Sequence, residues 1–156
     1  MTKFYCPIHN TTEYNIVHVS CHIDSWDDYY CSKCLEQKSK IEKIEKWFYS
    51  RCTSKIPELF KKELKQSFID VYKQHDGGLE KYSRIGYLKY KNKSYIFHAY
   101  IYSYGLSWML KREITEKPKY RMFIQILNKC RTIDIEADSL PYHLLDDNEF
   151  LLKALK

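Results

Sequence analysis

The sequence predicts an α+β fold, and three observations predict it: two short Cys/His pairs near the N-terminus, apolar residues at helical spacing between 34 and 75, and period-two alternation between 84 and 137. The Cys/His pairs are Cys6-Pro7-Ile8-His9 and Cys31-Ser32-Lys33-Cys34. A Cys-x2-Cys or Cys-x2-His turn presents two ligands from one tight loop. Tetrahedral Zn²⁺ takes four such donors, so two turns complete one coordination sphere. Cys6, His9, Cys31 and Cys34 are therefore the expected ligands of one structural zinc ion. Cys21, His22 and His18 lie in the intervening loop as alternative ligands. With all four positions filled by protein there is no open site for water, which argues against zinc catalysis.

Two domains are expected, a zinc-binding module with its helix over residues 1–52 and an α+β domain over 53–156. Between the knuckles, Tyr14 to Ile23 alternates, with Ile16, His18 and Ser20 on one face and Val17, Val19 and Cys21 on the other, as in a strand. Cys34, Ile41, Ile44, Phe48 and Cys52 then fall on one helical stripe that runs to about Arg51. Pro57 suits the first turn of a second helix, expected over 57–75 on the spacing of Phe60, Leu64, Phe68, Val71, Tyr72 and His75 and closed by Asp76-Gly77-Gly78.

An antiparallel meander of four or five strands is expected over 84–137, because short links favour antiparallel neighbours. Its first hairpin turns at Asn92-Lys93, and a second loop is placed at Glu116-Lys117-Pro118-Lys119. Trp108 to Ile114 reads as a strand or a helix. A C-terminal helix over 147–155 is signalled by an Asp N-cap in Asp146-Asp147-Asn148-Glu149 and by apolar Phe150, Leu151, Leu152 and Leu155.

Composition narrows the functional classes. Aromatics make up 16% of the 156 residues, fifteen of them Tyr, with only four Gly and four Pro, a mix that favours ordered structure. No apolar run approaches membrane-spanning length, and no secretory h-region follows Met1-Thr2-Lys3, so a reducing cytoplasmic or nuclear compartment is expected. Formal net charge is +6, unevenly spread: residues 33–65 hold ten Lys/Arg against five Glu, and residues 132–150 hold six Asp/Glu with no Lys or Arg. Such asymmetry suits a basic face that meets a polyanion.

The expected nucleic-acid-binding residues are Lys38, Lys40, Lys43, Lys46 and Arg51 on the first helix and Lys61, Lys62 and Lys65 on the second. Tyr100 and Tyr102 complete the set as stacking residues of a strand whose two faces are Ile96/His98/Tyr100/Tyr102/Tyr104 and Tyr95/Phe97/Ala99/Ile101. Asp134, Glu136 and Asp138 alternate onto one side of the last strand, a row that can hold Mg²⁺ in nucleases but lacks a Lys or His close by. No Ser/His/Asp order and no phosphate-cradling glycine loop is visible. The reading is a non-enzymatic, zinc-containing, nucleic-acid-binding regulatory protein. Its rival is a protein-binding regulator that occupies a host factor through the aromatic sheet or the acidic C-terminal region, and a metal-dependent nuclease comes third.

Over residues 6–34 the knuckles resemble the CPxH…CxxC treble-clef modules of phage and bacterial nuclease-associated proteins, with Asn10 where Gly is usual and Ser32 where Pro is usual. Read as Cys6-x2-His9, Cys21-x2-Asp24 and Cys31-x2-Cys34, the same stretch is similar to a B-box that lacks its second metal site. Either resemblance implies a zinc-held binding module, of phage or viral type in the first case. Neither reaches residues 53–156.

Overall fold

The computed structural model describes residues 4–50, 56–104, 118–126 and 129–155. Seven strands form one sheet in chain order: β1 (Asn15–Ser20), β2 (Ser25–Tyr30), β3 (Ile69–His75), β4 (Glu80–Tyr90), β5 (Lys93–Tyr104), β6 (Lys119–Ile126) and β7 (Lys129–Glu136). Every neighbouring pair is antiparallel. Helices α1 (Ser32–Tyr49) and α2 (Glu58–Gln66) lie between β2 and β3, and α3 (Asn148–Ala154) follows a 3-10 turn at Tyr142–Asp146. The α+β class and the C-terminal helix agree with the sequence.

The second helix is shorter than its expected span of 57–75. It ends at Gln66, Ser67 is already extended (φ −161°), and residues 69–75 form β3. Two members of the expected stripe, Val71 and His75, also satisfy period two, because they share a strand face with Ile69. The β-branched side chains of Ile69 and Val71 favour the extended chain. Hydrogen bonding to strands on both sides decides the matter: β3 pairs with β4 from Ile69↔Ile85 to Gln74↔Glu80, and with β2 at Asp28↔His75 and Tyr29↔Gln74. The sheet therefore reaches back from residue 84 to Asn15 and runs across the expected division at 52/53.

The β4–β5 hairpin turns at Lys91 (φ 51°) and Asn92 (φ 64°), two left-handed residues that match the twist of the flanking strands. Trp108–Ile114, Glu116 and Lys117 of the second expected loop, Arg51 and Cys52 lie outside the described residues.

Alternation divides the sheet into two faces. Ile85 pairs with His98, and their neighbours Arg84 and Ala99 pair on the opposite side. On the first face α1 packs over β3 and β2 and sets Phe48 against His98, ring centroids 5.5 Å apart. On the second, Phe97, Ala99, Ile101, Met122 and Ile124 are buried, and the 3-10 turn and α3 meet β5 and β7. Arg84 anchors that cover, donating twice to Asp70 (2.6 and 3.2 Å) and once to the Leu145 carbonyl (3.2 Å), and pairing with Asp146. Phe68 crosses the same face above Gly86, where a Cβ would overlap its ring.

Candidate metal centre

The first knuckle is a tight turn closed by Cys6 N–H donating to Thr11 O at 2.9 Å, with Asn10 left-handed at φ 49°. Asn tolerates that region better than most non-glycine residues, which explains how this chain does without the usual Gly. The second knuckle is the start of α1. Cys31 is its N-cap, its sulfur accepting from Cys34 N–H at 3.4 Å, and Cys34 sits in the first turn. The β1–β2 hairpin fills the chain between them.

These elements bring one ligand atom each from Cys6, His9, Cys31 and Cys34 to within 4.8 Å of one another. The three cysteines are fully buried and His9 is half-buried. Zn–S bonds of about 2.3 Å and Zn–N bonds of about 2.0–2.1 Å imply tetrahedral edges of roughly 3.8 Å between sulfurs and roughly 3.6 Å between sulfur and nitrogen. The Cys6–Cys34 sulfur separation is 3.7 Å, and His9 Nδ1 lies 3.6 Å from Cys6 and 3.5 Å from Cys34. The fourth measured edge, His9 to Cys31, is shorter at 3.1 Å. The cluster could hold a metal ion, and three of its four measured edges match the spacing of a tetrahedral Zn²⁺ site.

The hydrogen bond from Cys34 lowers the Cys6 thiol to about 5, and the same contact pushes the Cys34 thiol up, with burial adding to it. Burial also raises Cys31. Zn²⁺ takes cysteines as thiolates, so binding here would release the protons these thiols hold. Tyr72 N–H in β3 donates to Cys34 at 3.4 Å, a contact from outside the knuckles.

The alternative ligands stay apart from this cluster. Cys21 is exposed at the β1–β2 turn, and His18 pairs with Asp27 at 2.8 Å. Among the described residues no second group of three or more ligand-type side chains converges. Asp134 of the acidic row accepts from Arg121 at 2.9 Å.

The basic residues divide into two sets. Lys38 pairs with Glu42, Lys40 with Glu63 and Lys61 with Glu58. Lys43, Lys46, Lys62 and Lys65 are exposed and unpaired among the described residues. Arg51 lies outside them. Tyr100 and Tyr102 are half-buried beside α1, Tyr100 stacked on Phe123 at 5.0 Å. His75, expected on the stripe of a helix, pairs instead from β3 with the buried carboxylate of Asp28, which also takes Lys73 at 3.4 Å. The signal for that cluster was the alternation of Ile69, Val71, Lys73 and His75, which places them on one strand face.

Fold and site together define an α+β protein with a candidate Cys₃His metal centre at one end of a seven-stranded meander. No family model matches the chain, and no curated protein or solved structure matches it. No described helix is long and apolar enough to cross a membrane.

Proposed function

We propose that the protein is a zinc-containing nucleic-acid-binding regulator, in which a treble-clef-like knuckle–hairpin–helix arrangement fixes a basic ridge on α1 and α2. The observation that carries the reading is the set of uncommitted lysines. Lys43 and Lys46 on α1 and Lys62 and Lys65 on α2 are exposed and have no carboxylate partner among the described residues, while the Lys40–Glu63 pair links the two helices. Ammonium groups left free in this way are available to phosphates. Each phosphate neutralised adds salt-dependent affinity without reading sequence. The zinc ion, closed by four protein ligands, serves as scaffold.

The test is anisotropy of labelled single-stranded DNA and RNA at several salt concentrations. Binding should weaken steeply with salt, and Lys43→Glu with Lys62→Glu should lower the affinity about tenfold or more and flatten the salt slope by about one per lost contact. Binding that ignores both salt and these substitutions overturns the assigned surface.

A protein partner is the second reading, and it has an observation of its own. Ile23 is 95% exposed and Ile16 56% exposed on the β1–β2 hairpin. A salt-insensitive complex lost on Ile23→Ser would favour it.

A further inference from the structure

On the α1 face of the sheet, β3, β4 and β5 line an open pocket of about 320 Å³ with Lys73, His75, Glu80, Lys81, Tyr100 and Tyr102 in its walls. That is within the size of sites that take small ligands, roughly 300–1,000 Å³. Lys73 and Lys81 are direct partners in the β3–β4 register, and Lys81 is in turn the direct partner of Tyr102 in β5. Like charges directly opposite each other on a sheet are destabilising, so this pair needs compensation.

Lys73 has Asp28 at 3.4 Å, but Lys81 has no hydrogen bond or ion pair among the described residues, and its Nζ stands 4.5 Å above the centre of the Tyr100 ring. Burial works against its charge, pushing the ammonium below its ordinary range. The carboxyl groups that act on it are Glu45, itself pushed up by burial and so a weak counter-charge, and Asp28, already shared between Lys73 and His75. The aromatic wall is pre-set. Tyr100 is held between Phe123 at 5.0 Å and Tyr102 at 5.7 Å.

We infer that this cavity binds a nucleoside monophosphate, with Lys81 and Lys73 holding the phosphate and Tyr100 and Tyr102 packing against the base. An oxyanion satisfies the unpaired ammonium, a planar ring uses the tyrosine wall, and only a ligand with both uses the whole site. The same chemistry comes from two sources, a free mononucleotide or the phosphorylated end of a strand. The inference extends the nucleic-acid reading without depending on it.

Calorimetric titration of the zinc-loaded full chain tests it, with AMP, adenosine and inorganic phosphate as probes. AMP should bind saturably and at least about tenfold more tightly than either fragment, because ring and phosphate act together. Lys81→Met and Tyr102→Leu should each weaken it about tenfold. A tetranucleotide with a 5′-phosphate that outcompetes AMP identifies the strand end as the source, and the reverse order identifies the free nucleotide. Should Lys81→Met fail to fold, ring-proton shifts of Tyr100 and Tyr102 in the unaltered protein on adding AMP replace it. No saturable binding of AMP or of the phosphorylated tetranucleotide, or shifts confined to other residues, overturns the inference. Lys43→Glu with Lys62→Glu should lower strand affinity about tenfold or more and leave AMP binding unchanged. Lys81→Met should spare affinity for unphosphorylated strands, so the two proposals fail separately.

Discussion

Cys34 Sγ accepts a hydrogen bond from the backbone N–H of Tyr72 at 3.4 Å, which ties the candidate metal centre to the third strand of the sheet. A thiolate accepting from a backbone amide is fixed in orientation and better stabilised than a free one, as in the outer contacts of other metal sites. The metal centre and the sheet are thus mechanically joined.

Metal content and stability should therefore move together. Native mass spectrometry should find one zinc per chain. Chelation, or Cys34→Ser, should remove it and lower the melting temperature of the whole chain, since structural zinc sites contribute on the order of 10–16 kcal/mol in finger peptides. Because three thiols and an imidazole must lose or withhold protons to bind, affinity should fall as pH drops. Zinc release followed with a chromogenic chelator between pH 7 and pH 5 measures this.

Arg84→Met should be among the most damaging single changes outside the metal site. It leaves Asp70, whose side chain is 17% exposed, as a buried carboxylate without its fork of donors, and it frees the Leu145 carbonyl. Breaking one side of a buried pair costs about 3–5 kcal/mol, or about 10 °C in melting temperature for a chain of this size. Arg84→Met with Asp70→Leu should recover part of the loss in the same melting experiment.

Acid should destabilise the protein through His98. Its ring is fully buried against Phe48, Tyr100 and Phe123, and burial first, then Lys81, lowers its pKa to about 3 from the usual 6.5. Glu45 at 3.9 Å is too far to hydrogen-bond and is itself pushed up by burial, so it does not offset this. The unfolded chain binds the proton more readily, so the stability from the neutral ring is complete above about pH 6.5 and declines as pH falls towards 3. The full loss is on the order of 4 kcal/mol. Urea unfolding of the wild type and His98→Leu at a series of pH values should show a flatter acid limb in the variant.

Gly86→Ala should destabilise by about 1–3 kcal/mol, the usual cost of forcing extra volume into a packed contact. The clash is with the Phe68 ring, so Phe68→Ala should rescue it. A double-mutant cycle by thermal unfolding isolates the coupling, and additive effects would refute the contact.

Local features were legible in the sequence and non-local ones were not. The two knuckles are readable because ligand spacing is a short-range property, and the two faces of β5 are readable because Tyr95, Phe97, Ala99 and Ile101 alternate without interruption, although alternation alone does not say which face is buried. The C-terminal helix is recognisable too, and of the two aspartates at its start Asp147 is the cap, accepting from Phe150 N–H at 3.1 Å. Residues 69–75 were not readable as strand, because Phe60, Leu64, Phe68, Val71, Tyr72 and His75 fit a helix as well by spacing alone. What makes them a strand is the pair of neighbours, β2 and β4, that only the folded chain supplies. The Asp28–His75 pair and the Lys73/Lys81 cavity depend on that same pairing, so they stayed hidden with it.

A sheet whose strand order equals its chain order has a kinetic consequence. β4 can zip onto β3 through a short turn, and β5 onto β4 through a two-residue turn, each at small loop-closure cost. The β2–β3 junction is different: it encloses α1 and α2 yet is secured by two residue pairs, Asp28↔His75 and Tyr29↔Gln74. Its closure is the slow, late event expected of this topology. The Cys34–Tyr72 contact spans the same gap, so metal binding at the knuckles should accelerate that closure, and refolding followed by stopped-flow with and without zinc should differ in that phase alone.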